Sequence, residues 1–226
     1  MIEVLIVMAL FGLISGAMIA GSGQLSSSKL KHSTTMLSGA IRVAFSRASA
    51  TSKSVRIVLD MESNSFWLEE GDAPMLVQSK DTSATGGAEA STIAEKEAIA
   101  DKDRIIQGPR APRPRYHEIE APGMSLNGGK TGHRPLESGI TFREVQTAHD
   151  DAPRNEGRAY LYFWPGGMTE RASIQLRVGQ SADEHDALTL LVSPLTGKAQ
   201  IKEGAVAIVN PTDDKEASER EDPGAF

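Results

Sequence analysis

The chain contains no cysteine in its 226 residues, which excludes disulfides and thiolate metal sites while leaving the compartment open. No lysine or arginine precedes Lys29, and no proline precedes Pro74. The first absence removes the basic stretch that heads a secretory signal peptide; the second removes the strongest helix breaker from the opening of the chain. Catalytic signatures are also missing. No His-Glu-x-x-His, Gly-x-Ser-x-Gly or phosphate-loop pattern occurs, and the five histidines are scattered, so neither an enzyme activity nor a cofactor is expected. The net charge of −6 argues against a general nucleic-acid binder.

What is present begins with "MIEVLIVMALFGLISGAMIAG". Glu3 heads an apolar run from Val4 to Ala20 that only Ser15 interrupts. A membrane-spanning helix needs roughly 20 predominantly apolar residues, within a range of about 17–25, so the run suits a retained anchor. A signal peptide is the alternative, with Ala20-Gly21-Ser22 as its cleavage site, although its apolar core is only about 7–15 residues. Beyond Gly21 the composition turns polar, yet Leu30, Leu37, Ile41, Phe45 and Ala48 recur at helical spacing, with Lys31, Ser38, Arg42 and Arg47 between them. The spacing predicts one long helix, transmembrane over residues 1–24 and amphipathic over 25–53, with a bend or melted join where Gly21 and Gly23 disfavour helix. Gly12 and Gly16, four apart, allow another helix to approach closely in a membrane. A carboxylate at the edge of such a segment needs a counter-charge, which makes Glu3 the leading candidate functional residue.

Residues 54–208 read as a β-rich globular domain. "SVRIVLD", the turn "MESNS" and "FWLEE" form a hairpin pattern. Later come "AYLYFW", the turn "PGG", "ASIQLRV", "ALTLLVS", "PLTGK" and "AQI", four strands that suggest antiparallel sheet. The stretch at about 72–135 differs. It is rich in small and charged residues, with one short polar helix around Thr92 to Asp103 and then the extended "GPRAPRPRYHE". It reads as a loop insertion on the domain surface. Residues 209–226 form an acidic tail, expected to be disordered, with six acidic and two basic residues from Thr212 onward.

Other candidate sites are weaker. Asp183, Glu184 and Asp186, with His185 between them, cluster hard oxygen ligands for a metal such as calcium; a solvated loop is the preferred account. Arg110, Arg113 and Arg115, spaced by prolines beside Tyr116, could contact phosphates, but a solvated arm explains them without a nucleic-acid footprint. "FWPGG" reads as a turn with aromatic core residues.

The opening "MIEVLIVMALFGLISGAMI" resembles the start of a mature type IV pilin or type II secretion pseudopilin. Ile2, Glu3 and Val4 match the family's Ile-Glu-Val, and Met1 falls where its preceding Leu stands. The resemblance implies a pilin-like α+β fold, a long N-terminal helix on antiparallel β-sheets. It also implies that Glu3 pairs with the N-terminal amine of a neighbouring subunit, and that a short basic leader upstream of Met1 is removed by prepilin peptidase and the new terminus methylated. The segment "AIRVAFSRASATSKSVRIVLDMESNSFWLEE", the turn "AYLYFWPGGMTERASIQL" and the closing "LTLLVSPLTGKAQI" resemble the GspH/FimT group of minor pilins, over residues 1–68 and 139–202. That implies a single-pass protein of the bacterial inner membrane with its domain in the periplasm. Its partners would be other minor and major pseudopilins through the N-terminal helix, the inner-membrane assembly platform, and the secreted substrate or the secretin. A minor pseudopilin at the tip of a type II secretion filament is the leading expectation, and a minor pilin of a type IV pilus the alternative. A DNA-binding competence pilin fits less well, because this chain ends in acidic residues where that group carries Gly-Arg-x-Arg.

Overall fold

The computed structural model describes residues 2–73, 75, 85–105, 113–120, 132–150 and 152–208, without the side chains at 5, 9, 12–24, 102 and 105. Ile2–Thr51 form one helix, α1, of 50 residues, about 75 Å long at roughly 1.5 Å per residue. The expected melted join is not found: the backbone stays helical through Gly21 and Gly23. Each glycine costs roughly 1 kcal/mol there, which the helix formers on either side outweigh. The helix stops at Ser52, whose φ of 56° lies in the left-handed region and turns the chain back.

The strands then follow in order: β1 (Val55–Asp60), β2 (Ser65–Gly71), β3 (Tyr116–Glu118), β4 (Arg134–Pro135), β5 (Ile140–Thr147), β6 (Arg158–Trp164), β7 (Met168–Thr169), β8 (Ala172–Val178), β9 (Ala187–Val192) and β10 (Ala199–Glu203). A second helix, α2 (Ile93–Ile105), lies between β2 and β3. Its start is a reciprocal cap: the Glu95 amide donates to Thr92 Oγ1 at 3.2 Å, and the Thr92 amide donates to Glu95 Oε2 at 3.0 Å. The strands form two antiparallel sheets. Sheet A has the order β3-β2-β1-β6-β7, with β4 also on β2; sheet B has the order β10-β9-β8-β5.

Alternation along the strands decides what each face of sheet A covers. Val55, Ile57, Leu59, Phe66, Leu68, Ala159, Leu161 and Phe163 point to one side and join the core with α1. Across from them, Arg56, Trp67, Glu69, Tyr160 and Tyr162 point to the other side and are nonetheless buried. The upper half of α1 supplies Leu30, Leu37, Ala40, Ile41, Ala44 and Ala48 to the core, which sheet B completes with Val145, Ile174, Leu176, Leu190 and Val192. Turns grip the helix from above. Gly197 has φ +60°, and a Cβ there would lie 2.2 Å from the Phe45 ring, so only glycine fits this approach.

Several expectations need correction. The four late strands are antiparallel as expected and divide between the two sheets: β6 pairs with β1 in sheet A, whereas β8, β9 and β10 belong to sheet B. Strand β5, which carries the edge of sheet B against β8, was not anticipated, because "ITFREVQT" alternates charged with apolar residues over a bulge between Phe142 and Glu144. The insertion is more than a loop, since β3 and β4 extend sheet A by pairing with β2. Among the described residues, no helix is long and apolar enough to cross a membrane. The side chains from 12 to 20, which hold half of the apolar run, lie outside the described ones, so the expected span rests on the sequence.

Candidate functional site

The two halves of α1 meet different surroundings. From Leu30 onward its apolar residues are buried against the sheets. Below that point the described side chains face outward, including Ile2 at 74 %, Val4 at 64 %, Phe11 at 67 % and Leu25 at 66 % exposure. Burying each such aliphatic or aromatic side chain is worth about 1.5–3 kcal/mol, so this half has a strong tendency to leave water for lipid or other helices. The changeover is fixed by polar contacts from the domain. Lys29 Nζ donates to the Ser138 carbonyl at 3.3 Å, the Glu137 amide donates to Ser33 Oγ at 3.1 Å, and His32 Nδ1 lies 3.0 Å from Glu137 Oε1. These contacts define the lower end of the domain; the turns at Gly167 and Gly197, beside Phe45 and Ser49, define the upper end.

Glu3 lies in the first turn of α1 and is exposed. A carboxylate there is well placed on the helix dipole, and nothing in the domain approaches it among the described residues. Gly12 and Gly16 follow on the same helix, where the backbone is helical throughout. All three candidates thus belong to the part of α1 that precedes its first core residue, Leu30.

The remaining sequence candidates are engaged locally. Asp183 caps a single turn of 3-10 helix, Glu184–Asp186, by accepting from the His185 amide at 3.0 Å, and Asp186 accepts from Ser181 Oγ at 2.9 Å. Glu184 lies in the same exposed turn, and no cluster of three metal-binding side chains occurs among the described residues. Arg113 Nη2 donates to Asp103 at 3.2 Å, and Arg115 pairs with Glu89; Arg110 lies outside the described residues. In "FWPGG", Phe163 is fully buried in the core and Gly167 closes the turn onto the Trp164 carbonyl at 3.1 Å.

Sequence reasoning missed a buried polar layer between sheet A and the insertion. Arg56, 1 % exposed, donates from Nε to Glu69 Oε2 at 2.7 Å, from Nη1 to Tyr162 at 3.2 Å and from Nη2 to Ser91 at 3.1 Å. Its guanidinium carbon sits 4.3 Å from the Tyr116 ring centroid and 4.2 Å from that of Tyr160, which adds cation–π attraction. Burial disfavours its charge, but Tyr162 and Glu69 more than offset that, so its pKa lies above the ordinary arginine value. Burial pushes the Tyr116 phenol up to about 12. Glu69 also accepts from Trp67 Nε1 at 2.8 Å, and Tyr160 donates to Glu95 at 2.6 Å. Ser91, Glu95 and Tyr116 come from the insertion, so this layer fastens it to the sheet. Alternation placing Arg56, Glu69, Tyr160 and Tyr162 on the face opposite the core was the available signal.

A second buried group continues the layer. His149 Nδ1 lies 2.6 Å from Glu170 Oε2, whose other oxygen accepts the Tyr162 amide at 2.9 Å. Asp150 accepts from Thr147 at 3.0 Å and from both Arg154 nitrogens at 3.0 and 2.9 Å. Burial works against a charged His149, yet the hydrogen bond and charge of Glu170 prevail and raise its pKa; burial raises Glu170 in turn. The pair therefore holds its shared proton to higher pH than a free imidazole would.

Neither a protein-family model nor a curated protein matches the chain. Two solved structures, both of the minor pseudopilin EpsH from the type II secretion system of Vibrio cholerae, are similar at 11 % and 9 % identity. They cover 77 % and 80 % of this chain and 94 % and 98 % of their own, with TM-scores of 0.39 and 0.42. At these values neither bears on what the chain does.

Proposed function

We propose that this chain is a minor pseudopilin of the GspH/FimT type, a structural subunit at or near the tip of the periplasmic filament of a type II secretion system. The observation that carries the reading is the division of α1. Its upper half is the spine of the domain, while its lower half, with Glu3 in its first turn, presents Ile2, Val4, Ile6, Val7, Met8, Leu10 and Phe11 outward. On this reading the lower half anchors the chain in the bacterial inner membrane, with the domain in the periplasm. It then passes into a filament core where neighbouring pseudopilin helices replace lipid. Gly12 and Gly16 let those helices approach, and Glu3 meets the N-terminal amine of the next subunit. The assembly platform would hold the chain during that transfer. A subunit used in few copies also tolerates the bulk of α2 and its strands, which every repeat of a filament shaft would otherwise have to accommodate.

Glu3 supplies the test. Glu3→Ala and Glu3→Gln should insert into the membrane normally and fail to assemble, with Glu3→Asp intermediate. Removing one member of a fully desolvated ion pair costs about 3–5 kcal/mol, and less where water or headgroups reach it. The variants are compared at equal membrane levels by cross-linking to partner pseudopilins and by export of a secreted protein. Normal assembly of Glu3→Ala would overturn the pairing. A defect in piliation with intact secretion would move the chain to a type IV pilus.

A further inference from the structure

The upper end of sheet B carries a feature that neither anchoring nor helix packing uses. Beyond β10, residues 204–208 cross the outer face of sheet B as a strap. The Gly204 amide donates to the Ala187 carbonyl at 3.0 Å, the Val206 amide to Thr189 Oγ1 at 3.0 Å, Ser173 Oγ to the Val206 carbonyl at 2.6 Å, and the Ile208 amide to Gln146 at 2.9 Å. Between this strap and the β9–β10 turn lies a groove of about 290 Å³ lined by Leu191, Val192, Pro194, Ile208, Gln200 and Arg171. That volume is at the small end of ligand-sized cavities, which run from roughly 300 Å³, so it suits one or two residues of a chain rather than a large molecule.

The rim of the groove is apolar and rigidly placed. The Thr169 amide donates to the Pro194 carbonyl at 2.9 Å, which ties the end of β7 to the β9–β10 turn. Leu195, next to Pro194 in that turn, is 75 % exposed. Arg171 stands at the wall, exposed, and its guanidinium has no ion pair among the described residues. Lys198, also exposed, follows Gly197 in the adjoining turn. An apolar slot beside an unpaired cation is complementary to an apolar side chain next to a carboxylate.

We infer that this groove docks an extended segment of another protein that carries an apolar side chain beside a carboxylate. The inference does not depend on the pseudopilin reading. If that reading holds, the groove faces away from the membrane, toward whatever stands above this subunit. Leu191, Pro194 and Ile208, with Leu195 beside them, would supply apolar contact and Arg171 the charge-assisted hydrogen bonds that orient the segment.

The test uses the full chain in detergent micelles with methyl-labelled isoleucine, so that Ile208 reports directly on the groove wall. The probes are two capped tripeptides, Leu-Glu-Leu and Leu-Lys-Leu. The acidic probe should shift the Ile208 methyl resonance saturably and the basic probe should not. Arg171→Glu should weaken the acidic probe about tenfold, as expected for losing an exposed pair and gaining a repulsion. Leu195→Ala should weaken both. Arg171 and Leu195 are exposed, so neither change threatens the fold, and an unchanged melting temperature checks this. No saturable shift with either probe, equal shifts with both, or an Arg171→Glu variant that binds the acidic probe as well as the parent would overturn the inference. Each of these results is independent of the Glu3 phenotype.

Discussion

Arg56 offers the sharpest test of how the insertion is held. It is 1 % exposed, Glu69 is 7 % exposed, and their closest approach is 2.6 Å. Replacing Arg56 with Ala leaves a buried carboxylate whose only remaining described side-chain donor is Trp67 Nε1, and takes the cation from between the Tyr116 and Tyr160 rings. Breaking a buried pair in this way costs about 3–5 kcal/mol. For a domain of this size each kcal/mol lowers the melting temperature by about 2–4 °C, so a fall of roughly 6–20 °C is expected. Arg56→Met combined with Glu69→Gln should recover at least half of that loss. The charges go together, and the amide oxygen still accepts from Trp67. Hydrogen exchange localises the effect. In Arg56→Ala the amides of Ile119 and Glu89, which donate to Leu68 and Pro114, should lose protection, while β8 and β9 keep theirs. Parent-like melting and protection in Arg56→Ala would refute the idea that this residue fastens the insertion.

Leu37 and Ile41 are both fully buried on the packed half of α1, so Leu37→Ala and Ile41→Ala should each cost about 2–5 kcal/mol in unfolding measurements; unchanged melting in both would contradict the packing. The His149–Glu170 pair sets a pH dependence. The His149 pKa is raised above its ordinary 6.5, so the stabilisation is complete below that value and is lost as pH climbs through the folded-state value. Melting temperature measured from mildly acidic to alkaline pH should decline on that side in the parent and flatten in His149→Gln. A parent profile that rises instead would reverse the sign of the argument.

The long helix and the first hairpin were legible because their signals are local. Apolar spacing in α1 and alternation in "SVRIVLD" each name a face without reference to the rest of the chain. The register in which "FWLEE" meets "SVRIVLD", with Leu68 opposite Ile57 and Glu69 opposite Arg56, follows from the same alternation. The partition of later strands was not legible, because "AYLYFW" is apolar on both faces and could have joined either sheet. Its two tyrosines face the insertion and its Leu161 and Phe163 face α1, a distinction that only tertiary contact reveals. The same holds for Arg56. A single arginine in a strand reads as a solvent-facing residue until "PRYHE", about sixty positions later, folds over it. Glu3 was legible from cost alone, since a carboxylate heading an apolar run demands a reason.

The way α1 is seated has a mechanical consequence. Its upper half packs against β1, which starts just after the helix ends. The same stretch of helix is gripped from the other side by sheet B. A pull on the lower half is therefore loaded lengthwise, in shear, onto side chains from Leu30 to Ala48 that must slip together rather than peel away in turn. The turn at Ser52 passes the same load into β1 and, through its ladders, to β2 and β6. Within the insertion, Ser91 and α2 lie against the far face of sheet A, off that line of force. The domain is thus built to be hauled by its helix without its outer layer being strained, and what the outer layer carries can change without weakening the tow.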